Sequence, residues 1–245
     1  MVLKNRDKSM NKKFDYNILR LFPYTVFVLF IVSAAEMIAT GSAAIMSGGN
    51  IDDYMIQMSR GLVMVNELMQ YIASTAIFLC LYHMVQANRW FNRTYNMFIG
   101  YMLTELLDRV TTWLYTVTAN NYIIGVLLLV TTVLPAVFLM LGMIFLLEGM
   151  SELFRVMLKK KEAISCLRIS GLWMSAQAVL IMISTAMIPV FFILQDEYHI
   201  FGLLILIVSS VYYIVICALV YFRVKSFCME YYMFVYNNSI TGGTV

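Results

Sequence analysis

Five ionisable residues sit inside long apolar runs of this chain: Glu36, Glu67, Glu105, Asp108 and Arg109. A charge at the centre of a membrane-spanning helix costs about 2.5–3.5 kcal/mol on insertion scales, so such residues mark functional sites or ion pairs. Glu105 and Asp108 are three apart and Glu105 and Arg109 four apart, which puts both carboxylates and the guanidinium on one helical face. Earlier in the chain, Asn66, Glu67 and Gln70 are spaced so that 66 and 70, and 67 and 70, share a face. Glu36 stands near Ala35 and Ala39, small residues that let a neighbouring helix approach closely. Brought together, these seven side chains make an acid-rich polar pocket, formally −3 from four carboxylates and one guanidinium.

Such a pocket suits a small polar, cationic or zwitterionic solute. It also suits proton exchange, because a low dielectric disfavours the charged form of a carboxylate. The plainer alternative is that Arg109 neutralises Glu105 or Glu67 between packed helices and adds only specificity of assembly. At about 1.5 Å per residue, all five charges fall between mid-membrane and the outer leaflet.

The elements that must position these residues are helices in lipid. Of 245 residues, 62% are hydrophobic and 13% charged, with a mean hydropathy of +0.80; a soluble domain averages about 45–50% apolar and about 25% charged. Runs of roughly 20 apolar residues have the length of a bilayer crossing. The expected fold is all-α: a bundle of six transmembrane helices at about 21–46, 61–85, 95–118, 122–147, 171–194 and 200–222. A basic segment (1–20) precedes them and a tail (223–245) follows. The order basic, apolar, small at the start also resembles a signal peptide, but the apolar run exceeds the 7–15 residues of a signal core. A retained helix is expected.

Six spans place both termini on one side. Outside the spans, Lys and Arg number six before helix 1, two between helices 2 and 3, five between helices 4 and 5, and two after helix 6. The opposite face has Arg60 beside Asp52, Asp53, Asp196 and Glu197. The positive-inside rule then makes both termini cytoplasmic. The turns are short, so three antiparallel hairpins are expected, in the cell membrane. With the basic residues distributed by topology, a net charge of +3 does not point to nucleic acid.

Other features suggest less. Cys80, Cys166, Cys217 and Cys228 lack C-x-x-C spacing, and with only His83 and His199 beside them neither a disulfide framework nor a zinc or haem site is expected. Met55, Met58, Met64 and Met69 invite a Cu(I) reading, but methionine also fills apolar helices and no Cys or His accompanies them. No metal and no cofactor is expected. Ser175, Gln177, Ser184, Thr185, Ser209, Ser210, Tyr212 and Tyr213 in helices 5 and 6 fit interhelical hydrogen bonding. Pro135 and Pro189 each remove a backbone donor and are expected to kink their helices.

The stretch Glu148–Arg168 is the one substantial cytoplasmic segment. Leu153, Phe154, Met157, Leu158 and Ala163 can form an apolar stripe opposite charged residues. Lys159, Lys160 and Lys161 favour anionic headgroups. Phe154, Arg155 and the three lysines are therefore candidates for docking a partner, with a solvated continuation of helix 4 as the simpler reading.

The chain has no H-E-x-x-H, G-x-S-x-G, paired-Asp or glycine-rich phosphate motif, so an enzyme is not expected. Size, six spans and cytoplasmic termini are compatible with membrane subunits of export-type ABC transporters and with vitamin-uptake binding subunits, a likeness of architecture that does not carry function. The leading expectation is a permease or substrate-binding membrane subunit working with a cytoplasmic ATPase or other membrane subunits. A sensory or regulatory membrane protein and a scaffolding subunit are the rivals.

Overall fold

A computed structural model describes residues 16–46, 61–85, 87–117, 122–193 and 198–240. Among them are six helices and no strand: α1 (Tyr16–Met46), α2 (Gly61–Met84), α3 (Arg89–Val117), α4 (Tyr122–Val156), α5 (Lys160–Ile193) and α6 (Tyr198–Ile240). In hydrocarbon every backbone N–H and C=O must be satisfied within the protein, and a helix does this within one segment. Four helices contain stretches long and apolar enough to cross a membrane, namely Leu19–Ala39, Val133–Val156, Lys160–Ile183 and Gly202–Asn237. They mark the chain as membrane-embedded. In α2 the apolar stretch is shorter, Leu68–Met84. The least apolar helix is α3, which carries Arg89, Arg93, Glu105, Asp108 and Arg109.

The helices form a ring in chain order. Each packs on the next, most extensively α3 on α4 and α4 on α5, and α6 closes the ring against α1. Two small residues explain the α3–α4 approach. A Cβ at Gly100 would stand 2.5 Å from the Phe138 ring, and one at Gly142 would stand 3.2 Å from the Phe98 ring. Each helix thus lays an aromatic ring on the other's glycine.

The α2–α3 turn is held by Asn88. Its Oδ1 accepts from the backbone N–H of Trp90 and of Phe91, both at 3.0 Å, which caps α3. Its Nδ2 donates to the Gly149 carbonyl at 3.0 Å and so ties that cap to α4.

At the α4–α5 turn, Lys159 N–H bonds the Phe154 carbonyl (2.8 Å) and Leu158 N–H the Arg155 carbonyl (3.1 Å), with Leu158 left-handed at φ 61°. This is the hydrogen-bond pattern of a Schellman cap, where glycine is usual. Leu158 takes the strained position and is 86% exposed.

The described core is concentrated at the end carrying these two turns, called here the packed end. Phe227 of α6 lies at its centre, with ring centroids 5.4 Å from Phe154, 6.3 Å from Phe91 and 5.5 Å from Tyr231. Cys80, Cys166, Cys217 and Cys228 are buried free thiols. Polar links join α5 to α6: Arg223 pairs with Glu162 and donates to Ser165 (2.5 Å), and Lys159, just ahead of α5, pairs with Glu230 (2.6 Å).

Helix length changes the reading of the polar segments. At about 1.5 Å per residue, the 43 residues of α6 far exceed a hydrocarbon core of about 30 Å. Residues 223–240, expected as a tail, continue α6 as helix. The stretch 148–168 is likewise the end of α4, a tight turn and the start of α5 rather than a separate surface helix. Pro135 is buried within the single helix α4. Pro189 lies in α5, but its side chain is outside the described residues.

Two substitutions separate packing from strain at the α4–α5 turn. Phe154→Ala is expected to destabilise the protein by about 3–5 kcal/mol. Leu158→Gly relieves a left-handed Cβ and is expected to stabilise it by about 1 kcal/mol. Reversible unfolding in mixed micelles reads both, and a loss on Leu158→Gly would contradict the strained cap.

Candidate functional site

The sequence-predicted charges converge in part. Arg109 Nη2 on α3 donates to Glu36 Oε1 on α1 at 2.8 Å and lies 3.7 Å from Glu105 Oε2, one turn back on its own helix. One guanidinium therefore faces carboxylates from two helices. The backbones of α1 and α3 make little contact of their own, because α2 stands between them in the ring. The Glu36–Arg109 bond is thus a tie across the bundle.

Gln70 on α2 fills the gap beneath this pair. Its Nε2 donates to the Tyr101 hydroxyl at 2.5 Å and reaches Glu105 Oε1 at 3.5 Å, the weak limit of a hydrogen bond. Tyr101 and Glu105 are four apart on α3, so the tyrosine continues the acidic face one turn toward the packed end. Gln70 and Tyr101 are both buried, and the Glu105 side chain is only 13% exposed.

Two other expected residues turn elsewhere. Asn66 donates to the Val32 carbonyl of α1 at 3.3 Å, so it helps hold α2 on α1. Asp108 accepts from Thr131 on α4 at 3.1 Å, pointing toward the neighbouring helix pair. The Glu67 side chain lies outside the described residues, as do Asp52, Asp53, Met55 and Met58.

Space is short at the centre of the cluster. Gln70, Tyr71, Tyr101, Met102, Glu105 and Arg109 line a void of about 10 Å³. A single water needs about 10–15 Å³ of such volume. In this conformation the cluster holds at most one water and no organic solute. What it can do chemically is exchange Arg109 between Glu36 and Glu105, or take up a proton.

Tyr101 and Thr131 were not singled out by sequence reasoning. Tyr101 could have been found, because it falls four residues before Glu105; Thr131 had no such signal, being one hydroxyl among many on apolar helices. The docking candidates separate by exposure. Phe154 is fully buried in the core and contributes to packing, whereas Arg155, Lys159, Lys160 and Lys161 are exposed. These lysines line an open cleft of about 450 Å³ with Leu158, Glu162 and Glu230. Among the described residues, no group of three or more His, Cys, Asp or Glu is placed to hold a metal ion.

A double-mutant cycle of Glu36→Gln and Arg109→Gln, read by unfolding in micelles, is expected to give a coupling of about 0.5–3 kcal/mol. Additive losses would mean that the pair does not join α1 to α3. Compared with known protein families, characterised proteins and solved structures, the chain matches none.

Proposed function

We propose that this chain is a transport protein of the cell membrane, a permease or substrate-binding subunit in which Arg109 switches between Glu36 and Glu105 as a proton binds and leaves. The observation that carries this reading is the sharing of one guanidinium by carboxylates 2.8 and 3.7 Å away on two different helices. Breaking the Glu36–Arg109 bond would leave the guanidinium to Glu105 on its own helix. The tie between α1 and α3 would then loosen, which is the kind of two-state element that alternating access needs. The void of about 10 Å³ fits a proton or one water in the closed state. A cationic or zwitterionic solute would enter only when the helices part.

The proposal includes six spans in three antiparallel hairpins with both termini cytoplasmic. Contacts along consecutive helices run in opposite directions and support the hairpins: Asn88 meets Gly149 while Asp108 meets Thr131, and Glu162 meets Arg223 while Trp173 meets Tyr213. The distribution of Lys and Arg supports the orientation. A cytoplasmic ATPase or another membrane subunit would dock on Arg155, Lys159, Lys160 and Lys161. The chain itself is read as a non-enzyme.

One observation favours a rival. The closed void is what a scaffolding subunit with a structural ion pair would show. Proteoliposomes with an entrapped pH dye, offered a panel of cationic and zwitterionic solutes, separate the two. Wild-type protein is expected to couple solute entry to a pH change, and Glu36→Gln and Glu105→Gln to abolish it while unfolding as before. Failure of both variants to fold would leave the structural ion pair as the explanation. A C-terminal fluorescent fusion is expected to light up in the cytoplasm, and export of the tail would reverse the orientation.

A further inference from the structure

We infer that α1, α5 and α6 enclose a second polar site, a cluster of hydrogen-bond donors on α5 and α6 that holds water inside the bundle. Trp173 Nε1, Gln177 Nε2 and Ser210 Oγ have no hydrogen-bond partner among the described residues. Trp173 is fully buried, and Gln177 and Ser210 are each more than nine-tenths buried. Buried donors in folded proteins are almost always satisfied, by protein or by ordered water.

The three groups come to one level. Trp173 packs its ring 5.6 Å from Phe30 of α1 and 6.4 Å from Tyr213 of α6. With Glu162 paired to Arg223 one end further on, α5 and α6 run in opposite directions. One turn past Trp173 on α5 is Gln177, and one turn before Tyr213 on α6 are Ser209 and Ser210. Ser209 satisfies its hydroxyl on its own helix, at the carbonyls of Ile205 (2.7 Å) and Leu206 (3.1 Å). Ser210 does not.

The donor chemistry selects the occupant. An indole N–H donates only, an amide nitrogen donates twice, and a hydroxyl does either. Such a set calls for an oxygen acceptor, and water is the acceptor available to a closed helical bundle, typically making about three hydrogen bonds. The level also matters. On α1, Phe27 packs against Tyr221 and Gly41 abuts Leu206, which puts Glu36 level with the residues around Ser210. Water at this site would extend the polar layer from α1–α4 to all six helices. It goes beyond the transport reading, since water would occupy these donors in a scaffold equally well.

Radiolytic hydroxyl footprinting of the full chain in lipid nanodiscs, in ¹⁸O-labelled water, tests the proposal without any transport assay. Trp173 is expected to be oxidised despite its burial, at a rate within severalfold of the partly exposed Trp90. Gln177→Leu and Ser210→Ala are each expected to lower Trp173 oxidation at least threefold and to leave Trp90 unchanged. Ser209→Ala, whose hydroxyl is already satisfied, is expected to change neither. An unoxidised Trp173 in the wild-type protein would overturn the proposal, whether or not the variants fold. So would oxidation undiminished in both Gln177→Leu and Ser210→Ala.

Discussion

A charge drawn out of water between packed helices needs its counter-charge placed with it, and Arg109 meets that demand with Glu36, on a helix that α3 otherwise barely touches. The attraction between unit charges grows as the dielectric falls, but so does the cost of leaving one alone. The pair therefore constrains where α1 can stand relative to α3, and α2 must fit between them. Gln70 and Asn66 on α2 are the residues that accommodate this, one donating to Tyr101 and the other to the α1 backbone. Glu105 then places a second acceptor beside the same guanidinium. One cation between two acids is the arrangement on which the proposed switching of Arg109 rests.

The packed end supplies the rigidity that such a cluster lacks. Phe91, Phe154 and Phe227 bring α3, α4 and α6 together in an aromatic centre, and the Asn88 cap is hydrogen-bonded to Gly149. The charge cluster lies further along the helices, where Glu36–Arg109, Gln70–Tyr101 and Asp108–Thr131 are single polar bonds between helices. Motion about the packed end would change the polar contacts first, because separating rings there loses many van der Waals contacts at once. The Schellman cap at Leu158 belongs to the same end and closes α4 against α5 in very few residues.

The membrane character of the chain and its helical class were legible in the sequence, because hydropathy and helical spacing are local properties. Glu105 and Arg109 share a face by arithmetic, whatever surrounds them. The extent of the helices was less legible. Residues 223–240 were expected as a tail and 148–168 as a surface helix or a continuation of helix 4; Phe154 and Cys166 bury the ends of α4 and α5, and Phe227 and Tyr231 pack the extension of α6.

Only the tertiary structure decided which acid Arg109 meets, and its reason is the order of the ring. Spacing alone favoured Glu105 on the same helix, or Glu67 on α2; the nearest oxygen belongs to Glu36, because α1 reaches past α2 to the face of α3. The structure likewise turned Asp108 to Thr131 and Asn66 to a backbone carbonyl, so that a pocket of seven became a tighter cluster around Glu36, Gln70, Tyr101, Glu105 and Arg109. Residue type and period determine what a helix offers on each face. Which offer is taken depends on the helix standing opposite, and that is a property of the whole bundle.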